Sequence, residues 1–250
     1  MNKFVRTSLV LIASLSGPAF ADNCERLPGY AALQSALRSV VPASGTPNGG
    51  LGFPMWLTLV DGSGRVCAIT TSLIGGDVTS DIWLGSRVIS AQKANTANSF
   101  STGALSLSTA NLYSAVQPGG SLFGLQESNP VDVTIAYLGT AASYGTPGDP
   151  LVGRRIGGIN VFGGGLTLYK SGKKVGAVGV SGDTSCTDHV VAYKVRAALG
   201  LGTVPGGFDK MLQDIAPNPA GGAGISASGF GHPTCLNNPT SANDGGSIVH

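Results

Sequence analysis

Two stretches of alternating residues, each broken by a glycine-containing turn, constrain the fold most. "MWLTLVDGSGRVCAITTS" (55–72) alternates on both sides of Asp61-Gly62-Ser63-Gly64. "VFGGGLTLYKSGKKVGAVGVSGD" (161–183) starts on Gly163 to Gly165, turns at "KSGKK" and ends in the apolar run "VGAVGV". A period of two around a short Gly/Asp/Ser loop is the pattern of a β-hairpin, and hairpins pair antiparallel. The segments around them carry helical spacing instead. The chain is therefore α+β: a single antiparallel sheet flanked by helices.

The helices follow from the 3.6-residue period. "GYAALQSALRSVV" (29–41) places Ala32, Leu33, Ala36, Leu37 and Val40 at helical spacing, and "PASGTPNGGLGFP" then links it to the first hairpin. "DIWLGSRVISAQKANTANSF" (81–100) reads as a helix capped by Asp81, with Ile82, Ile89 and Phe100 on one stripe. Lys93 and Thr96 fall close to that stripe. A lysine there either snorkels to solvent, pairs with a carboxylate, or serves a pocket. A shorter helix is expected around "STANLYSAV" (108–116), while the Gly-, Pro- and Ser-rich residues 117–160 give no clear period. "TDHVVAYKVRAALGL" (187–201) is a helix stopped by Gly200 and Gly202, and little regular structure is expected beyond Pro205.

The N-terminus sets the compartment. Lys3 and Arg6 precede a short apolar run, and Ala19-Phe20-Ala21 is a small-x-small cleavage site. Residues 1–21 read as a secretory signal peptide, so the protein is expected to be periplasmic or secreted. No other run is apolar enough for a membrane span. Losing Lys3 and Arg6 takes the formal charge from +2 to zero, which leaves no basic patch for nucleic acid. All four cysteines survive cleavage, and an even count in an exported chain favours two disulfides. Of the three possible pairings, Cys24–Cys67 and Cys186–Cys235 are favoured. The first ties the mature N-terminus to an early strand, the second ties the tail to a helix start. The expected organisation is the signal peptide, a domain over residues 22–205, and a Gly/Pro-rich extension over 206–250 held by the second disulfide.

Three motifs in order carry a family resemblance. Thr58, Val60, Asp61 and Gly64 match a hairpin of the form T-x-V-D-x-x-G. Lys93, Ala94, Thr96, Ala97 and Phe100 match a K-A-x-T-A-x-x-F helix. Gly176, Gly179, Val180, Ser181, Gly182 and Asp188 match a G-x-x-G-V-S-G strand leading to a helix with an acidic start. Over residues 29–201 the chain resembles the heme-binding GlcG/HbpS family. The resemblance implies a profilin-like α+β domain that forms homo-oligomers and binds heme. The chain departs from the family at Leu166, where a G-G-x-P hairpin has proline, and in its cysteines and long tail.

The resemblance implies a heme pocket built from Lys93, Thr96 and Phe100 on one helix and from Ser181, Gly182, Asp188 and His189 at the start of another. "VGVSGDTSCTDH" leads from a strand into a helix N-terminus, which suits a heme propionate or small carboxylate; the plainer reading is a tight turn capped by Asp183, Thr184 or Thr187. Cys186-x-x-His189 and His232-x-x-Cys235 have spacing that suits zinc, yet exported cysteines oxidise, and a Cys186–Cys235 disulfide removes the thiolates. That disulfide would draw His189 and His232 together, as heme-iron ligands or as hydrogen-bonding neighbours. No C-x-x-C-H is present for covalent heme attachment. Support for catalysis is thin: Ser181 and Ser185 lie near His189 only in sequence, and "GVSGD" is not a G-x-S-x-G elbow. The expected function is an exported heme- or tetrapyrrole-binding protein for sequestration, sensing or redox support. The alternatives are a small-carboxylate binding module or enzyme on the same scaffold, and a ligand-free oligomeric accessory protein.

Overall fold

The computed structural model describes residues 23–206, 209–222, 224–235 and 247–249. The predicted signal peptide lies outside the described residues, as does part of the tail. Helix α1 (Tyr30–Val40) leads to the hairpin β1 (Trp56–Asp61) and β2 (Val66–Thr71), and helix α2 (Gly85–Phe100) follows. Single-turn helices α3 (Leu125–Ser128) and α4 (Val133–Ala136) punctuate the long loop. The second hairpin is β3 (Gly165–Lys170) and β4 (Lys173–Ser181), followed by helix α5 (Ser185–Ala198). The four strands form one sheet in the order β2-β1-β4-β3, and every neighbouring pair is antiparallel. The sequence-based α+β reading thus describes the fold.

The turns form for the chemical reasons their residues supply. Asp61 folds its carboxylate back onto the N–H groups of Ser63 and Arg65 at 2.9 and 3.0 Å, while Gly64 takes a φ of 81°. The β3–β4 loop is two residues, Ser171 and Gly172, both at positive φ (51° and 73°). That is the backbone a right-twisted two-residue hairpin requires.

The sheet separates two cores. On one face Leu57, Leu59, Leu166, Leu168, Val178 and Val180 pack against Leu33 and Leu37 of α1 and Val191 and Val195 of α5. On the other face Trp56, Val60, Ile69 and Ala177 pack against Val88, Ala91, Ala94 and Ala97 of α2. Alternation along β1 and β4 sends successive side chains to opposite cores, which is why β1 is buried along its length, Thr58 and Asp61 included, and β4 is buried from Gly176 to Ser181.

Helix α2 corrects its predicted details. It begins at Gly85, not at Asp81, and Asp81 instead accepts the Asp77 N–H at 2.7 Å. Ile89 and Phe100 are only partly buried, and the buried face runs through Ser90, Ala91, Ala94 and Ala97. Close packing selects small residues here: a Cβ built on Gly179 of β4 would lie 1.9 Å from the Ser90 carbonyl oxygen. The segment 108–116 forms two short 3-10 turns, Thr109–Leu112 and Ser114–Val116, rather than one helix. Helix α5 starts two residues before the predicted 187, because the Thr184 hydroxyl caps it by accepting the Thr187 N–H. The tail also has more structure than expected. Strand β5 (Met211–Leu212) pairs in parallel with β8 (Ile248–Val249), and β6 (Ile215–Ala216) pairs with β7 (Ile225–Ser226). Among the described residues no helix is long and apolar enough to cross a membrane.

Candidate functional site

The residues singled out from the sequence gather where β3 and β4 meet the start of α5. Gly163, Gly164 and Gly165 cross this region as β3 begins. Beside Gly164 the backbone comes so close that a Cβ would lie 2.3 Å from the Val180 carbonyl, 3.0 Å from Asp188 Cβ and 3.3 Å from Lys93 Nζ. Only a chain without side chains passes here, and the gap it leaves lets Lys93 of α2 reach Asp188 of α5 from the opposite face of the sheet.

Lys93 donates to Asp188 Oδ2 at 2.6 Å and to the Val180 carbonyl at 3.0 Å, and both side chains are sealed from solvent. Asp188 Oδ1 accepts the Asp183 N–H at 3.0 Å. Burial pushes the Asp188 carboxyl up to about 6 against the pull of the Lys93 charge, and burial lowers Lys93. Of the readings open for this lysine, it is the carboxylate-paired one that the structure realises.

The other predicted pocket residues are also engaged in packing. Thr96 Oγ1 donates to the Gln92 carbonyl and accepts the Asn160 N–H, at 2.8 and 3.0 Å. Phe100 packs beside Leu112, Val116, Ile159 and Val161. Ser181 is buried at the end of β4 opposite Trp56, and Gly182 lies tight against the Pro54 carbonyl. The turn into α5 is capped from within. Asp183 accepts the N–H groups of Leu51, Gly52, Phe53 and Thr184, so an added carboxylate would have to displace it.

Both favoured disulfides are present, Cys24–Cys67 and Cys186–Cys235. Pairing removes both thiolates of the alternative zinc reading, which is thereby overturned. The second bond is buried among Ala110, Val190, Met211 and Ile248, which joins the tail to α5. It draws the two histidines into one region but turns their rings to different partners. His189 is fully buried, with Nε2 2.9 Å from the Ser247 carbonyl. That contact places the hydrogen on Nε2. Nδ1 keeps its lone pair and has no hydrogen-bond partner among the described residues. His232 instead sits 2.8 Å from Ser185 Oγ through Nε2 and 2.8 Å from its neighbour's carbonyl, Pro233 O, through Nδ1. The Ser185–His232 pair spans 47 residues of chain, and no local motif announces it.

Burial lowers His189 to about 4 and lowers His232 as well. The sign for stability follows. A histidine whose folded pKa lies below its ordinary 6.5 contributes stability above pH 6.5 and loses it as pH falls towards 4. For His189 the loss is about 3 kcal/mol. Urea unfolding at pH 7 and pH 4 should therefore show a pH dependence that shrinks by about this amount in His189→Gln. An undiminished dependence would mean that His189 is not the buried neutral imidazole described.

This architecture is that of a small α+β domain whose packed inter-helix junction is closed by a disulfide-anchored tail. A family model described as "Haem degrading protein HbpS-like" matches residues 50–197, more than half of the chain, and the chain belongs to this family. Helix α1 and the tail, with His232 and Cys235, lie outside the matched residues. The chain is 35% identical over 112 residues to a Citrobacter freundii protein described as "Uncharacterized 15.0 kDa protein in dhaT-dhaS intergenic region". The alignment takes in 45% of this chain and 57% of the relative, so the chain spans a little over half of that protein's length. Similar solved structures include a PduOC:heme complex, with TM-score 0.46, 24% identity, and coverage of 69% of this chain and 93% of that one. Klebsiella pneumoniae ORFY is also similar, with TM-score 0.44, 25% identity, and coverage of 69% and 90%. A double mutant of Streptomyces reticuli HbpS gives TM-score 0.45, 18% identity, and coverage of 78% and 99%.

Proposed function

We propose that this chain is an exported heme-binding protein in which His189 supplies the iron ligand. The observation that carries the reading is the buried Nδ1 of His189, a bare imidazole lone pair with no partner among the described residues, in a chain of the HbpS-like family. Burial keeps the ring neutral, which is the form that ligates iron. His232 does not offer the same fit, because both of its nitrogens are engaged. The donor at His189 fits heme, but the space beside it is filled. Binding therefore goes with opening of the packing around Nδ1, while the Ser247 carbonyl stays on Nε2 and orients the ring. Lys93 and Asp188 then act as the junction that holds α5 in place, not as groups that touch the ligand.

The finer reading is heme sequestration or sensing in the periplasm or outside the cell. It is supported by the leader-like first 21 residues and by two disulfides, which persist in oxidising compartments. Homo-oligomer formation accords with Phe53 and Trp83, which stack edge to face at 4.9 Å while remaining 37% and 50% exposed.

Mass and absorption spectroscopy of the protein purified from its native compartment tests these points together. The expected result is a mature N-terminus at Asp22, two intact disulfides, and a Soret band on adding hemin. His189→Ala should weaken hemin binding by about tenfold or more and shift the band. A wild type with no Soret change would overturn heme binding, and a spectrum unaltered in His189→Ala would overturn the ligand.

A further inference from the structure

Ser185 and His232 meet the geometric requirements of a nucleophile and its base, in a place the heme reading does not use. Ser185 Oγ lies 2.8 Å from His232 Nε2. His232 Nδ1 lies 2.8 Å from the Pro233 carbonyl, which can only accept, so the ring hydrogen sits on Nδ1 and the Nε2 lone pair faces the serine. The Gly163 N–H donates to Ser185 Oγ at 2.7 Å and fixes the hydroxyl from the other side. A serine, a base within hydrogen-bond reach and a third group that orients the base are the parts of an activated nucleophile.

The surroundings suit acyl chemistry. Ser185 is the first residue of α5, and the N–H groups of Ser185 and Cys186 precede the helix's first internal bond, from the Asp188 N–H to the Thr184 carbonyl. Such groups can face a developing oxyanion. Ser185 is partly exposed, unlike the sealed His189. A groove of about 960 Å³, lined by Tyr113, Ile215, Ile225, Phe230 and Pro233, approaches the dyad through Tyr113 and Pro233, although Ser185 and His232 are not themselves part of its lining. The Tyr113 ring lies 5.6 Å from the His232 ring. The disulfide assembles the pair, since Cys186 follows Ser185 directly and Cys235 lies three residues beyond His232.

We propose that Ser185 and His232 form a disulfide-assembled catalytic dyad that hydrolyses esters with an apolar acyl group. Ser185 Oγ attacks the acyl carbonyl carbon as its proton passes to His232 Nε2. The ester C–O bond breaks, and the alcohol leaves with that proton. Water, deprotonated by the same nitrogen, then attacks the acyl-serine. The acid is released and the Ser185 hydroxyl restored. Burial favours neutral His232, so the base is available in the neutral range.

The test uses the full mature protein with both disulfides intact, a fluorophosphonate probe and p-nitrophenyl butyrate. The expected result is covalent label on Ser185, located by peptide mass spectrometry, with ester hydrolysis. Ser185→Ala abolishes the label, and His232→Gln slows labelling and hydrolysis by about 100-fold or more. Reducing the Cys186–Cys235 bond has a similar effect. Labelling in the wild type should reach half its maximum below pH 6.5, which tests the base even where His232→Gln folds poorly. Absence of label on Ser185, or a half-maximum at or above pH 6.5, overturns the proposal. Neither outcome bears on hemin binding.

Discussion

Gly179→Ala is expected to destabilise the protein by about 3 kcal/mol, at the upper end of overpacking costs. Gly179 sits at the centre of β4, paired with Thr58 of β1 and Gly165 of β3. Its missing side chain faces α2. A Cβ there would stand 1.9 Å from the Ser90 carbonyl oxygen and 2.5 Å from the Ala94 nitrogen, which are backbone atoms that cannot rotate aside. The neighbouring Gly165 makes a similar approach to the Lys93 carbonyl, at 2.5 Å. One added methyl therefore has to lift the whole helix. Lifting it would loosen the Thr58–Ser90 hydroxyl contact at 2.7 Å and the Lys93–Asp188 pair together. The control is Gly62→Ala in the first hairpin turn, where a Cβ meets nothing within 4 Å; there the change should stay within about 0.5 kcal/mol. Urea unfolding of both variants decides the matter. Equal midpoints would show that α2 does not rest on the sheet through backbone contact.

The same close approach explains which parts of the fold were legible in the sequence. Both hairpins could be read because alternation and turn chemistry act within a few residues. Leu33 and Leu37 marked the buried face of α1 by ordinary spacing. Helix α2 misled because its buried face is built from Ser90, Ala91, Ala94 and Ala97, which carry little hydrophobic signal, while Ile89 and Phe100 stand at its margin. Hydrophobic periodicity marks faces that bury bulk, and a face lying on glycine buries backbone instead. The candidate site was partly legible. The even cysteine count pointed to two disulfides but left three pairings open, and the favoured one is the pairing formed. The partners of the histidines were not legible, because they depend on how a Gly- and Pro-rich tail lies against α5. Ser247 is 58 residues from His189, and His232 is 47 from Ser185. No local rule connects residues at such distances.

Lys93→Met should cost about 3–5 kcal/mol at pH 7, whereas Lys93→Met combined with Asp188→Asn should recover more than half of that loss. The reason is that the ion pair is sealed. Removing the lysine leaves a buried carboxylate without its cation, and removing both charges leaves a neutral amide that can still accept the Asp183 N–H. The pH dependence separates this account from simple loss of packing. Asp188 in the wild type is already raised from 3.8 to about 6, chiefly by burial. A carboxyl raised in the folded state contributes its stability in full below pH 3.8 and loses it as pH rises through the folded value. In Lys93→Met the folded value rises further, since the opposing charge is gone. The deficit of the single variant relative to wild type should therefore be largest at pH 7–8 and shrink towards pH 4.5, while the deficit of the double variant, which has no carboxyl at this position, should not grow with pH. Denaturation midpoints at several pH values provide the measurement. A single-variant deficit that does not change with pH would mean that Lys93 acts by filling space. It would also remove the electrostatic bridge between α2 and α5, on which the placement of His189 and Ser185 at the junction depends.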